Sequence, residues 1–163
     1  MRILKFLEVL LLIAVITTSC KEPEMEIVKL EVLSKEDNFM VYPERGVSEY
    51  QRFEYAVISK PPANLKPVIE DYLKSIGKRA EIERKLNYYR IQFYKENNEV
   101  TRDYHENEGY LTKDRIDDHY DDVIAKIEWN KPVDSIAAGK WKISIKEDGK
   151  EWEVTTPFIA DIK

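Results

Sequence analysis

Apolar and polar residues alternate over 28–32, where Val28, Leu30 and Val32 are separated by Lys29 and Glu31. That period of two is the pattern of a half-buried strand. A polar loop holding Pro43 and Gly46 follows, and then RFEYAVIS over 52–59 predicts the next strand, ended by Pro61-Pro62. The period then changes. Leu65, Val68, Ile69, Tyr72, Leu73 and Ile76 fall on one helical stripe. Asn64 can cap this helix, and Pro67 stands in its first turn, where a missing N–H costs little. Gly77 fits the left-handed residue that closes a helix, with Lys74, Lys78 and Arg79 near the negative end of the dipole. Residues 80–86 read equally as a second helical turn or an early strand.

From Tyr88 onwards the pattern is that of strands. Tyr89, Ile91 and Phe93 share one face, and Tyr88, Arg90, Gln92 and Tyr94 the other. Asn97-Asn98 suggests a turn into a strand over 100–104, before an acidic, irregular stretch over 105–121. Val123, Ala125, Ile127 and Trp129 again alternate with polar residues, stopped by Pro132. A hairpin closes the chain: Trp141, Ile143 and Ile145 face inward, Asp148-Gly149 turns, and Trp152 and Val154 return. The expected fold is α+β, a mainly antiparallel sheet of about six or seven strands in hairpin order with one helix packed on one face. A β-sandwich with an inserted helix is the alternative.

Composition narrows the class. With 163 residues, 43% hydrophobic and 11% aromatic, the chain suits one domain with a real core, and excludes collagen-like or wholly disordered readings. A net charge of −5 carries no basic footprint for nucleic acid. A single cysteine excludes an intrachain disulfide and any zinc site built on several thiolates.

That cysteine has a particular setting. Arg2 and Lys5 precede an unbroken apolar run over 9–16, VLLLIAVI, then Thr17, Thr18, Ser19 and Cys20. A charged start, a short apolar core and a small-residue exit form a secretory signal peptide, too short to span a bilayer stably. Ile16-Thr17-Thr18-Ser19-Cys20 resembles the lipobox of bacterial lipoproteins, although Thr17 stands where that pattern has an aliphatic residue. The resemblance covers only the export segment. It implies cleavage before Cys20, a diacylglycerol-modified thiol and anchorage of the mature chain to the envelope. The resulting division is a signal peptide over 1–19, a lipidated tether over 20–26 and a single domain over 27–163. The signal takes two of the 26 basic and one of the 31 acidic residues, so the mature part is net −6. Lys21 after the cysteine, by resemblance to Gram-negative sorting rules, implies the outer membrane. The acidic stretch after Cys20 is also similar to surface-export signals of the Bacteroidetes, and either leaflet stays open.

Catalytic motifs are sparse. There is no Gly-rich phosphate loop, no GxSxG elbow and no HExxH, and no cofactor is implied. His105 and His119, each with carboxylates nearby, could serve a small hydrolase together with Asp103, Asp117 or Asp118, but their polar setting favours solvated surface histidines. Asp114, Asp117, Asp118, Asp121 and Asp122 place five carboxylates in nine residues, which could offer hard ligands to calcium. The spacing is not that of an EF-hand, and a solvated acidic loop with Ile116 and Tyr120 dipping into the core is the preferred reading. Tyr88, Tyr94, Tyr104, Tyr110 and Tyr120 cluster in the middle of the chain. Exposed on a sheet, they would suit a protein partner or the stacking faces of a glycan. The expected function is therefore a non-catalytic binding domain on a lipid anchor, an envelope assembly partner or an inhibitor or immunity protein. A carbohydrate-binding module and a small His/Asp hydrolase are the alternatives.

Overall fold

A computed structural model describes residues 24–32, 38–42, 47–106, 114–131, 139–146 and 152–155. The leader, Cys20, Tyr110 and the turn expected at Asp148-Gly149 lie outside these residues. The long strand β3 (Val47–Ser59) organises one flank of the sheet. β2 (Asn38–Tyr42) pairs antiparallel with its first part, Asn38 opposite Gln51, and β1 (Glu26–Lys29) with its last, Lys29 opposite Ala56. On its other side β3 pairs parallel with β4 (Tyr88–Lys95), Gln51 opposite Tyr88 and Ile58 opposite Lys95. β5 (Val123–Asn130), β6 (Lys140–Ile145) and β7 (Glu153–Thr155) then follow antiparallel, giving the order β1-β3-β4-β5-β6-β7 with β2 beside β3.

This is the expected α+β class, a seven-stranded and mostly antiparallel sheet. The hairpin order is corrected at one place. β3 and β4 run parallel, and a parallel pair cannot be joined by a tight turn. Residues 60–87 cross one face of the sheet and carry two helices, α1 (Lys66–Ser75) and α2 (Arg79–Lys85), where a single helix is expected. β2 falls inside the expected polar loop, and no strand forms over 100–104. There the Asn97 side chain accepts the N–H groups of Glu99 and Val100 at 2.8 and 2.7 Å, turning the chain so that Val100 is buried. β3 ends where Lys60 takes a left-handed φ of 51° before the two prolines. α1 starts as expected, with the Lys66 N–H bonded to the Asn64 side chain at 3.2 Å. It closes differently: Ile76, in an extended conformation, is the C-cap, and Gly77 has no left-handed φ.

The helices cover one face. Ile69 and Leu73 of α1 and Ile82 of α2 pack on Ala56, Ile58, Ile91, Phe93, Ile127 and Ile143, all at or below 3% exposure. An aromatic row crosses this face, Tyr89 opposite Trp129 and Trp129 opposite Trp141, the two indoles 5.5 Å apart. Their polar tips fasten the helix layer to the sheet. The Trp129 Nε1–H donates to the Leu86 carbonyl at 3.2 Å, and the Trp141 Nε1–H to the Glu83 carboxylate at 2.7 Å. Each indole thus buries its area without orphaning its donor. Trp129 can lie this deep because Gly139 is beneath it; a Cβ there would sit 2.2 Å from its ring. Among the described residues no helix is long and apolar enough to cross a membrane.

Candidate functional site

The second face of the sheet is covered at one end only. Tyr55, Val57, Tyr94 and Val123 are roofed there by Val100, Tyr104 and Ile116, the last from a 3-10 helix (Ile116–Asp122). The roof is held by polar ties. The Tyr104 hydroxyl donates to the Asp114 carbonyl at 2.6 Å, and the Glu106 carboxylate accepts the Ile116 N–H at 3.1 Å. Tyr94 is fully buried and Tyr104 is 9% exposed, so neither offers its ring to solvent. Burial pushes the Tyr104 phenol up to about 12, with the carboxylates of Glu106 and Asp114 adding to it. The Tyr94 phenol is raised well above its ordinary value, first by burial and then by Asp117.

Beyond the roof the face opens. Two rows set by the register cross this face: Phe53, Arg90, Glu128, Lys142, and Tyr55, Gln92, Lys126, Ser144, of which Tyr55, Gln92 and Ser144 are still buried. Arg90 lies over the Phe53 ring, 4.9 Å from its centroid, and Phe53 meets Tyr88 at 5.7 Å. The Tyr88 hydroxyl donates to the Glu128 carboxylate at 2.6 Å; burial and that hydrogen bond raise its phenol strongly. The Lys126 ammonium donates to the Tyr120 hydroxyl and sits 4.3 Å from the centre of the Trp152 ring. Tyr120 is 46% exposed and Val154, on the same side of the sheet, 55%. Lys140 and Lys142, which alternate with the buried Trp141 and Ile143, are exposed on this side. The result is a patch of aromatic rings and four cations, Arg90, Lys126, Lys140 and Lys142, on a protein whose net charge is −5.

Of the candidate tyrosines, the sheet and the 3-10 helix bring Tyr88 and Tyr120 to this open part, while Tyr94 and Tyr104 belong to the covered part. Phe53, Arg90, Lys126 and Trp152 complete the patch. For Arg90 and Lys126 the signal was present in the alternation of β4 and β5, but which face would stay uncovered depends on where the helices pack. In the expected dip into the core, Ile116 is fully buried and Tyr120 remains outside. The five aspartates do not converge: four are exposed and Asp122 is half-buried. Among the described residues no three His, Cys, Asp or Glu groups are placed to hold a metal ion. His105 is exposed. His119 is not the solvated residue expected. Its side chain is 15% exposed, edge-on to the Tyr104 ring at 5.7 Å, with Nδ1 3.6 Å from Glu99 and 4.0 Å from Asp122. The packing on Tyr104 makes it part of the roof.

Compared with protein-family models, with curated proteins and with solved structures, the chain matches none.

Proposed function

We propose that this chain is a bacterial envelope lipoprotein, exported by residues 1–19, anchored through an acylated Cys20 to the outer membrane, and that its mature domain binds a protein partner without catalysing a reaction. The observation that carries the binding reading is the open part of the second face, where Tyr88, Tyr120, Trp152 and Arg90 are the residue types that dominate protein interfaces. Its cations, on an acidic protein, suit a partner with an acidic surface, which would be steered to it electrostatically. The glycan reading has less support. Tyr120 and Trp152 both engage the Lys126 ammonium, an arrangement that does not free a pair of parallel rings for a sugar. The hydrolase reading also has less, because His119 is spent on packing against Tyr104 and His105 is exposed. The anchor rests on the lipobox-like run ending in Cys20, and two or three acyl chains, at about 0.8 kcal/mol per buried methylene, hold a protein firmly to a bilayer.

Two measurements test this. Cys20→Ser should abolish acylation and release the protein from the membrane fraction; a variant that stays membrane-bound removes the anchor. In the cell that makes the full chain, a photo-crosslinking residue at Tyr120 or Lys142 should give one defined protein adduct, lost when Arg90 and Lys126 are both changed to Glu. The same probe at Asp71, exposed on α1, should give none. No adduct from the second face, or equal adducts from both faces, removes the docking reading.

A further inference from the structure

On the helix side of the sheet, a cavity of about 270 Å³ opens between the end of α1, the turn at Gly77 and Lys78, and strands β1 and β3. α1 stops at Ser75, and a Cβ at Gly77 would meet nothing within 4 Å. The charges around this cavity are already matched. Arg52 has a partner, and with Lys78 it faces the Glu81 carboxylate, which Lys85, Lys78 and Arg52 together hold below its ordinary value. The Lys29 ammonium is paired with Glu54, whose side chain is 12% exposed in the lining. Hydrogen-bonding capacity is what stays open. The Tyr89 hydroxyl, at 2.9 Å, and the Lys29 ammonium both meet Glu54 at Oε2, and Oε1 accepts no hydrogen bond among the described residues. The Tyr72 hydroxyl has no hydrogen-bond partner among them either, while its ring is fixed edge-on to Phe93 at 5.0 Å. Burial and the Glu54 carboxylate raise the Tyr72 phenol above its ordinary value, so it remains a neutral hydroxyl that can both donate and accept.

We propose that this cavity binds a small neutral polyol, a single pyranose ring, with one hydroxyl of the ligand donating to Glu54 Oε1, another bonded to the Tyr72 hydroxyl, and the C–H surface of the ring against Tyr72 and Ile76. The matched charges set the neutrality. An anion would meet Glu54 while the cations of the lining are engaged with Glu54 and Glu81, and an ammonium would meet Lys29, Arg52 and Lys78. Either would be desolvated without a counter-charge of its own. A hydroxyl needs none, and its one donor and two acceptor sites suit a carboxylate oxygen, a phenol and the remaining N–H groups of an ammonium. The size of the cavity, at the low end of ligand pockets, limits the ligand to one ring. Ile82 and Tyr89 close the inner wall at 3% and 1% exposure, so the apolar contact falls to the half-buried Tyr72 and Ile76. The site lies on the face away from the aromatic patch, and neither proposal needs the other.

The test uses the chain purified from the cell that makes it, in a detergent free of sugar headgroups. The probes are the methyl pyranosides of glucose, galactose and mannose, the charged rings glucosamine and glucuronate, and cyclohexanol. Titration followed by saturation-transfer NMR should show saturable binding of at least one methyl pyranoside, with the charged rings no tighter and cyclohexanol not bound. Tyr72→Phe removes only a hydroxyl that bonds nothing else. It should weaken that binding about ten-fold, the equivalent of one hydrogen bond, and leave the urea unfolding midpoint in place. No saturable binding of any methyl pyranoside, tighter binding of a charged ring, or unchanged affinity in Tyr72→Phe overturns the proposal. Cyclohexanol binding as tightly as the pyranosides overturns it as well, because the hydroxyls would then contribute nothing.

Discussion

The two faces of one sheet are finished to different standards. On the helix side three large rings that bring a polar tip into the core find a partner for it: Trp129 finds Leu86, Trp141 finds Glu83, and Tyr89 finds Glu54. On the other side the central strand β4 carries Arg90, Gln92 and Tyr94 in line, and four of their buried polar atoms have no hydrogen-bond partner among the described residues. Gln92 is wholly buried, and neither end of its amide has a partner among the described residues. A buried unpaired amide costs about 1–3 kcal/mol, a large amount in a domain whose total stability is about 5–15 kcal/mol. The second face is therefore where more of the stability is given up, next to the patch proposed for binding.

That contrast can be broken at several points. Trp141→Ala removes the centre of the aromatic row together with the bond to Glu83, and should destabilise the domain by about 3–5 kcal/mol in urea unfolding. A change near zero would mean that the helix layer is not fastened through this indole. Gly139→Ala drives a methyl into the Trp129 ring and should cost about 1–3 kcal/mol, an unusually large effect for adding one carbon. A second face left unsatisfied makes the opposite prediction for Gln92→Met. Removing the unpaired amide at nearly constant volume should stabilise by about 1–2 kcal/mol. A loss of stability instead would show that the amide is paired in solution.

Alkaline titration tests the burial of the tyrosines on both faces. The phenols of Tyr88, Tyr89, Tyr94 and Tyr104 are all raised in the folded protein, first by burial. Their contribution is therefore complete below about pH 10, where the phenols of the unfolded chain are also neutral. It is lost as the pH rises further, by up to about 1.4 kcal/mol per pH unit for each tyrosine. For Tyr104 the loss should end near the folded value of about 12. Stability measured from pH 9 to 12 should fall steeply, and Tyr104→Phe should lessen the slope by at most one tyrosine's share. A flat profile would mean that these rings are reached by water.

Much of the local structure was legible in the residues. Period-two alternation identified β4, β5 and β6 nearly to their ends, because each has one strongly apolar face that only one register can bury. The stripe from Leu65 to Ile76 identified α1 for the same reason at a period of 3.6. What misled was local chemistry without tertiary context. Asn97 was legible as a turn residue, but the strand expected after it became a roof segment, because Val100 had a second-face core to enter. α2 was ambiguous because its seven residues bury only Ile82. Its place is secured by Trp129 and Trp141, more than forty positions away.

By itself, then, the chain's pattern determined that β4, β5 and β6 are strands and α1 a helix, which residues of those strands turn toward the main core, and that the domain is α+β. Those are consequences of short-range periodicity and of the need to bury apolar side chains. Tertiary structure alone decided that β3 and β4 run parallel, that β2 completes the edge, that Tyr104 becomes part of a roof over Tyr94 while Tyr88 and Tyr120 stay outside it, and that a cavity opens beside Gly77. Pairing direction and coverage depend on contacts between residues far apart in sequence. Nothing in the spacing of a strand's side chains says which of its two faces another part of the chain will come to cover.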